Sequence, residues 1–173
     1  MTAPAALEIV RGGARDAPRL LALFDDAITW MVARGRTDQW GSEPYSARPS
    51  HVAQVGVWAA SGGLWLAVAQ DDLEQTAGAI VLGDAPVCVP GPDRDELYVV
   101  VLLTATAWRG RGVGRRLIEH ALATARDRGV AQLRVDCWAG DPALPAHYER
   151  LGFRRTGSFT VEGWPGAILV QEL

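Results

Sequence analysis

The segment most able to carry chemistry is the arginine- and glycine-rich run WRGRGVGRR, which extends from Trp108 to Arg116. It lies between a continuously apolar stretch and a stretch with helical periodicity, which predicts a strand–turn–helix unit. A helix N-terminus offers backbone N–H groups with no intrahelical acceptor and a partial positive charge, so anions bind there. Glycines let the backbone approach a ligand closely, because no Cβ intervenes. The run therefore predicts a phosphate-binding turn.

The arginines of this run support the same interpretation. Arg115 and Arg116 fall in the first turn of the predicted helix, where the macrodipole disfavours positive charge, and a bound polyanion would reverse that cost. The run is not a Walker loop, since no Lys-Ser/Thr follows the glycines, and it does not fit the dinucleotide fingerprint. The plainer alternative is a glycine-rich connector whose arginines are only solvated.

Length and composition limit the classes of protein to consider. The chain has 173 residues, of which 49% are apolar and 21% charged, and its formal net charge is −3. These values are typical of a globular protein, so we expect a single domain over residues 1–173. The acidic balance argues against a general nucleic-acid binder. Cys88 and Cys137 are too few for a disulfide framework or a zinc site, so we predict no bound metal.

Two further features of the sequence point to the cytoplasm. The longest apolar stretch, Leu97 to Trp108, is shorter than the roughly 18–20 residues that a membrane-spanning helix needs. The N-terminal sequence MTAPAALEIVRGG has no basic leader followed by an apolar core, so we identify no secretory signal. We expect a soluble cytoplasmic protein with no membrane or nucleic-acid partner.

Hydrophobic periodicity predicts the order strand, two helices, three strands, helix, strand, helix and two strands. The first long helix is predicted to have an apolar face formed by Leu20, Leu23, Phe24, Ala27, Ile28 and Met31. The helix after the turn is predicted to have one formed by Leu117, Ile118, Ala121, Leu122 and Ala125. The apolar segment Leu97–Leu103 is predicted to be a strand buried on both faces. This order indicates a mixed α/β layer in which helices cover a sheet.

Turn and cap signals predict several element boundaries. Ser50 is expected to cap a second helix that runs through Ala60, and Asp141 to cap a short helix with Pro142 at its first position. The polar run DDLEQ is expected to form the loop of a hairpin, and EGWPG to join the last two strands.

Two short patterns resemble signatures of the GCN5-related N-acetyltransferases, the GNAT superfamily. Arg109-x-x-Gly112-x-Gly114 is similar to the family's Arg/Gln-x-x-Gly-x-Gly/Ala, and the segment from Tyr148 to Phe153 resembles its Tyr-x-x-x-Gly-Phe. They occur in the family's order, and the element order resembles that of the family over nearly the whole chain. The resemblance implies a mixed, mostly antiparallel sheet with a splayed central strand pair, flanked by about four helices.

The resemblance also implies a binding site for acetyl-CoA as co-substrate. The strand before the turn would splay from its neighbour and pair its free backbone groups with the pantetheine arm, through Leu102, Leu103 and Thr104. The turn would hold the pyrophosphate with backbone N–H groups, and it comprises Arg109, Gly110, Arg111, Gly112, Val113, Gly114 and Arg115. The side chains within reach of the 3′-phosphate would be Arg111, Arg115 or Arg116.

Two positions depart from the family's pattern. Thr106 stands where the family often has proline, three residues before Arg109. Asp141 stands where the family often has an asparagine that contacts the cofactor, and a carboxylate is a poorer neighbour for phosphates. These departures leave the turn as the predicted cofactor site and weaken the assignment of Asp141 to it.

Acetyl transfer to an amine requires a proton donor for the leaving thiolate and a proton acceptor for the amine. The resemblance places Tyr148 near the sulfur, and a phenol pKa near 10 is close enough to a thiol pKa of about 8.5 for Tyr148 to donate. For the base we predict Glu96, with Asp136 and His147 as alternatives. A tyrosine that only packs in the core, and a covalent route through Cys137, are the competing explanations.

The resemblance places the acceptor amine against the first two helices and the final hairpin. Trp30 and Trp40 are predicted to bind it, because aromatic faces with nearby carboxylates suit a cationic amine. Tyr45 and Trp164 lie in the same stretches, and the nearby carboxylates are Asp25, Asp26 and Asp38. The competing explanation for Trp30 is packing in the core.

These observations predict an enzyme of the GNAT type that transfers the acetyl group of acetyl-CoA to the primary amine of a small molecule or peptide by direct attack. A non-catalytic module that senses acyl-CoA is the main alternative, because no base stands out in the sequence. Transfer of a longer acyl chain, or transfer to a hydroxyl, is a third. The sequence leaves the acceptor's identity and a homodimeric state open.

Overall fold

The computed structural model describes residues 6–173, and its elements follow the predicted order. The strands are β1 Leu7–Arg11, β2 Leu64–Ala69, β3 Asp72–Gly83, β4 Glu96–Thr104, β5 Gln132–Trp138, β6 Arg154–Val161 and β7 Trp164–Glu172. The α-helices are α1 Ala17–Val32, α2 Pro49–Ala60, α3 Val113–Asp127 and α4 Ala143–Arg150. Short 3₁₀ turns occupy Ala14–Asp16, Tyr45–Ala47 and Thr106–Trp108. Within these described residues, no helix has the length and apolar character needed to cross a membrane.

The strands of residues 6–173 form a seven-stranded sheet in the order β1-β2-β3-β4-β5-β7-β6. β2 pairs antiparallel with β1 and β3, and β7 pairs antiparallel with β5 and β6, whereas β4 and β5 are parallel. The prediction of a mixed, mostly antiparallel sheet flanked by four helices is therefore confirmed over this range.

The parallel ladder between β4 and β5 is short. It runs from Glu96 opposite Gln132 to Val99 opposite Val135, and both strands continue beyond it. A ladder that stops while its strands go on is what the predicted splay requires. It leaves the last residues of β4, up to Thr104, outside the β5 register of the described chain.

The chain divides into two compact units, which are described separately. The first unit comprises residues 6–81 together with Val101–Leu117, and the second comprises Leu82–Val100 together with Ile118–Leu173. The expectation of a single domain over residues 1–173 stays a prediction.

In the first unit, α1 is the main core helix. The Asp16 carboxylate accepts a hydrogen bond from the Gly13 amide at 2.9 Å just before the helix, and Pro18 occupies the first turn, where no N–H donor is needed. The predicted apolar face is buried in full, and it consists of Leu20, Leu23, Phe24, Ala27, Ile28 and Met31. The periodicity of the sequence therefore identified this face correctly.

Gly78 brings β3 against the end of β4 within the same unit. A Cβ at Gly78 would lie 2.6 Å from the carbonyl oxygen of Leu103 and 2.8 Å from Cγ1 of Val113, so only glycine fits. The Ala105 amide donates a hydrogen bond to the Ala77 carbonyl at 2.8 Å. These contacts show that Leu103 and Ala105 direct their backbone groups toward β3.

In the second unit, residues 84–95 form a loop over one face of the sheet. Val89 of this loop packs against the fully buried Tyr98. The Arg134 guanidinium donates a hydrogen bond to the Pro90 carbonyl at 2.6 Å. The loop therefore shields β4 and β5 side chains that would otherwise face water.

Two predicted helix starts are wrong by one or two residues. α2 begins at Pro49, so Ser50 lies inside the helix and does not cap it. The Asp141 carboxylate accepts a hydrogen bond from the Ala143 amide at 2.9 Å, but Pro142 precedes α4 and is not its first residue. In α2 the cause is proline, whose fixed φ suits the first helical turn.

The predicted strand boundaries also need correction. β3 begins at Asp72, so most of DDLEQ is strand. β7 begins at Trp164, because a two-residue turn with positive φ at both positions closes the last hairpin. Leu97–Leu103 is not buried on both faces throughout, since Val100 and Leu102 are only half-buried.

Candidate active site

The turn before α3 depends on two glycines with left-handed backbone conformation. Gly110 has φ 74° and Gly112 has φ 77°, and a Cβ at either position would meet open space. The backbone conformation, not crowding, therefore requires glycine, since another residue would cost about 1–2 kcal/mol of strain. The two glycines turn the chain from the 3₁₀ turn into α3.

The start of α3 presents a group of unpaired amides. The first helical hydrogen bond is donated by the Arg116 amide to the Gly112 carbonyl, at 3.1 Å. The amides of Val113, Gly114 and Arg115 precede that bond, so the helix offers them no acceptor. They lie at the positive end of the helix macrodipole, which suits an anion.

Arginine side chains add positive charge to this turn. Arg111, Arg115 and Arg116 are exposed, and the first turn of α3 contains no acidic residue. The Arg111 guanidinium lies 5.1 Å from the centroid of the buried Trp108 ring, which keeps it close to the turn. The turn therefore has the amides and the charge to hold a phosphate group.

Arg109 differs from the other arginines because α1 engages its side chain. Its guanidinium lies 3.7 Å from the Trp30 ring centroid, and that of Arg34 lies 4.1 Å from the same centroid. Both guanidinium groups therefore contact the ring of Trp30. The carboxylate of Asp26 accepts a hydrogen bond from the Thr106 amide at 2.6 Å. α1 thus contacts both ends of the segment that leads into the turn.

The pKa of Arg109 reflects the contact of its side chain with α1. Burial lowers the pKa of Arg109, the carboxylate of Asp26 works against that change, and the charge of Arg34 adds to it. The side chain of Arg109 packs on Trp30 of α1, and its amide donates a hydrogen bond to the Thr106 carbonyl at 3.2 Å, so the contribution of Arg109 to cofactor binding stays a prediction.

The two tryptophans predicted to bind the acceptor have different surroundings. Two guanidinium groups already lie on the Trp30 ring in the described structure, which disfavours its predicted stacking on a cationic amine. Trp40 is half-buried, with its ring centroid 5.6 Å from that of Phe24. Tyr45 is stacked between Phe24 at 4.2 Å and His51 at 4.0 Å. The role of Trp40 stays a prediction.

The end of β4 has backbone groups suited to an extended ligand. Since Leu103 directs its backbone groups toward β3, Leu102 and Thr104 direct theirs to the opposite edge of the strand. That edge lies beyond the β5 register of the described chain, which ends at Val99. Leu102 and Thr104 therefore present their backbone groups at the edge of β4 where the pantetheine contacts are predicted.

In the second unit, Glu96 is held by Arg134. The guanidinium donates hydrogen bonds to both carboxylate oxygens, at 2.5 and 2.8 Å, and the exposed side-chain fractions are 4% for Arg134 and 10% for Glu96. Burial acts to lower the pKa of Arg134, but the hydrogen bond and charge of Glu96 outweigh burial and raise it. A carboxylate bonded on both oxygens is a poor proton acceptor, which argues against the predicted role of Glu96 as the base.

Asp136 has a different partner on β4. The Tyr98 hydroxyl donates a hydrogen bond to the Asp136 carboxylate. Burial raises the pKa of Asp136, while this hydrogen bond and the charge of Arg134 act in the opposite direction. The sequence marked Asp136 as an alternative base but missed Tyr98, which stands in an apolar run. The available signal was that Glu96 and Tyr98 are two apart and so share one face of the strand.

Tyr148 is buried next to Phe153, with their ring centroids 5.8 Å apart. Burial raises its pKa, and the neighbouring Cys137 and Asp136 raise it further, so Tyr148 is a neutral phenol near pH 7. Burial also raises the pKa of Cys137, to about 12, which keeps it a thiol and removes support for a covalent route. The alternative base His147 has its pKa lowered by burial and by Arg150.

Comparison with known proteins agrees with this geometry. A model of the family described as "Acetyltransferase (GNAT) family" matches residues 25–153, which is most of the chain and includes the turn and Tyr148. The chain belongs to the GNAT acetyltransferase family. The resemblance in the turn and in the Tyr148–Phe153 segment is thereby confirmed at the level of the family.

Curated relatives of this GNAT chain are named as N-acetyltransferases. N-acetyltransferase 8B of Rattus norvegicus is 27% identical over 97 residues, which are 56% of this chain and 41% of the relative. [Ribosomal protein bS18]-alanine N-acetyltransferase of Escherichia coli K12 is 33% identical over 81 residues, 44% of this chain and 55% of the relative. The chain thus aligns with only about half the length of these relatives.

The fold extends the similarity over the full length. A GNAT-family acetyltransferase from Listeria monocytogenes superposes with a TM-score of 0.70 at 19% identity, and the match covers 100% of this chain and 99% of that one. This likeness shows that the whole GNAT fold is present.

Proposed function

We propose that the chain is an acetyl-CoA-dependent N-acetyltransferase that acts on the primary amine of a small molecule or peptide by direct attack. Membership of the GNAT family supports the reaction class. The observation that carries the proposal is the turn at the start of α3, with its left-handed glycines, unpaired amides and exposed arginines. This combination suits the adjacent anions of a diphosphate.

The residues of the first unit fit acetyl-CoA as co-substrate. Acetyl-CoA would supply the thioester acetyl group. The amides of Val113, Gly114 and Arg115 would bind the diphosphate, because each can donate a hydrogen bond to an anionic oxygen. The backbone of Leu102 and Thr104 would bind the pantetheine arm along the free edge of β4.

The chemistry requires two proton movements. Transfer forms a C–N bond at the acetyl carbon and breaks the C–S bond, so the amine nitrogen loses a proton and the sulfur gains one. We assign the first proton to Asp136 in place of Glu96, because Glu96 is bonded to Arg134 on both oxygens. Burial of Asp136 raises its pKa, which improves its match to an amine at neutral pH.

Tyr148 is proposed as the proton donor to the sulfur. A donor must keep its proton until the leaving group develops charge, and a phenol is neutral near pH 7 even at its ordinary pKa of about 10. Burial raises the pKa of Tyr148 further from that of the thiol, so the proton is transferred late, when the charge on the sulfur is well developed. The family resemblance of the segment from Tyr148 to Phe153 supports this role.

The proposed acceptor is the primary amine of a small molecule or peptide. The names of the curated relatives support an amine, and the Escherichia coli relative is named for an alanine of ribosomal protein bS18. Because two guanidinium groups already contact the Trp30 ring, Trp40 is the aromatic residue proposed to contact the acceptor.

Calorimetry and turnover test the proposal in two steps. Acetyl-CoA should bind the purified chain, and a thiol-release assay over a panel of amines should then show turnover. Tyr148→Phe keeps the ring that packs on Phe153, so it should retain acetyl-CoA binding and lose roughly 100-fold or more in turnover. Binding without turnover of any amine would instead favour a sensor of acyl-CoA, and no heat with millimolar acetyl-CoA would refute the proposal.

A further inference from the structure

Tyr98 is a buried residue of β4 that the mechanism above does not use. It is fully shielded from solvent and packs with Val89 and Ile168. The Arg134 guanidinium lies 5.3 Å from its ring centroid. These contacts hold the ring in place, and its hydroxyl is thereby directed to the carboxylate of Asp136, to which it donates a hydrogen bond.

We propose that the Tyr98 hydroxyl is a positioning group, which orients the Asp136 carboxylate and keeps it in the charged form that accepts a proton. The inference rests on the proposed function, in which Asp136 takes the proton of the amine. A carboxylate has two oxygens, so a donor on one oxygen fixes the group and leaves the other able to accept.

The balance of forces on Asp136 explains why a donor is needed. Burial disfavours the charged carboxylate, and a hydrogen bond donated to the carboxylate favours it. Burial of Tyr98 raises the pKa of its phenol, so the phenol remains a donor across the pH range of the reaction. Tyr98 therefore acts on the charge of Asp136 through a neutral group.

The backbone of Asp136 also hydrogen-bonds the carboxylate, but Arg134, the cation that acts on Asp136, does not supply a bond of the kind that Tyr98 gives. The guanidinium of Arg134 favours the charged form of Asp136, but it donates its hydrogen bonds to Glu96 and Pro90. Besides Tyr98, the titratable groups that interact with Asp136 are Arg134, Cys137 and Tyr148, while Glu96 acts on Tyr98 and Arg155 acts on Cys137. Of these, the thiol and the second phenol are neutral near pH 7, because burial raises the pKa of each.

Tyr98→Phe tests the proposal, because it removes the hydroxyl and keeps the buried ring. The acid limb of the pH profile of kcat/KM for the amine should move to higher pH by about one unit, since a donor to the carboxylate is lost. At pH values on the acid limb, kcat/KM should be about tenfold lower than that of the parent chain, and on the alkaline side the two should be equal. KM for acetyl-CoA should not change.

Two further measurements make the test decisive. Asp136→Asn should remove the ionisation of Asp136 from the acid limb and leave that of the amine, whose pKa is about 10, and adding Tyr98→Phe to it should not alter the shape of the profile. Carbon NMR titration of the Asp136 carboxyl reports its pKa without turnover, and that pKa should rise in Tyr98→Phe. A uniform loss of rate at every pH, with no change in the limb or the NMR titration, would overturn the inference. If the parent chain does not bind acetyl-CoA or does not turn over any amine, the proposed function is contradicted. The NMR titration still tests the effect of Tyr98 on Asp136, because it does not need turnover.

Discussion

Replacing Trp30 with leucine tests whether α1 holds the proposed phosphate-binding turn before α3 in position. The indole contacts two guanidinium groups, at 3.7 Å for Arg109 and 4.1 Å for Arg34. Exposed cation–π contacts contribute about 0.5–1 kcal/mol each, so Trp30→Leu should lower the free energy of unfolding by about 1–2 kcal/mol. About 1 kcal/mol of this holds Arg109, so the equilibrium constant for correct placement of the turn should fall about fivefold, and acetyl-CoA affinity should fall by up to that factor.

Denaturant unfolding and calorimetry with acetyl-CoA measure the two effects separately. Trp65 offers a matched control in the same unit, because its ring centroid lies 5.8 Å from the Arg11 guanidinium. Trp65→Leu also loses a cation–π contact, and it should lower stability without changing the Kd for acetyl-CoA. An unchanged Kd in Trp30→Leu, together with the predicted loss of stability, would refute the view that the stack positions the turn.

Two other predictions concern the turn itself. Gly112→Ala and Gly129→Ala should each cost about 1–2 kcal/mol of stability, because both glycines have positive φ and open space at Cβ, but only Gly112→Ala should weaken acetyl-CoA binding in calorimetry. Equal affinities of the two variants would contradict the assignment of the turn. Arg115→Gln combined with Arg116→Gln should raise the Kd and make it less dependent on salt, since exposed charge pairs are screened by ions. Calorimetry at several NaCl concentrations checks this, and an unaltered salt dependence would exclude contacts between these arginines and phosphate.

Helices with strong hydrophobic periodicity are well predicted from the sequence. Every residue predicted for the apolar face of α1 is buried, and the same is true of α3, whose predicted face is Leu117, Ile118, Ala121, Leu122 and Ala125. Burying one stripe of a helix satisfies its apolar residues in a single orientation, so the spacing itself carries the information. The order of the strands and helices follows from the same kind of signal.

Boundaries are predicted less well, because local signals compete there. Ser50 is a good cap residue, yet the preceding Pro49 already suits the first turn of α2 and shifts the start of the helix. Asp72 belongs to a polar run typical of a loop, but it is an exposed position at the start of β3. A solvated strand and a loop favour the same polar residues, so composition does not separate them.

The pairing of side chains across strands limits the prediction of the site. The sequence predicts Glu96 as the base and Asp136 as an alternative, but both are carboxylates on or next to predicted strands, and residue type alone does not separate them. The parallel register sets Tyr98 opposite Arg134, and as a result Glu96 pairs with the guanidinium while Asp136 pairs with the phenol. That register joins strands separated along the chain by the whole of α3, so no local pattern encodes it. A carboxylate neutralised by a cation and a carboxylate bonded to a neutral donor differ in their ability to take a proton, and this difference, not the residue type, decides between them.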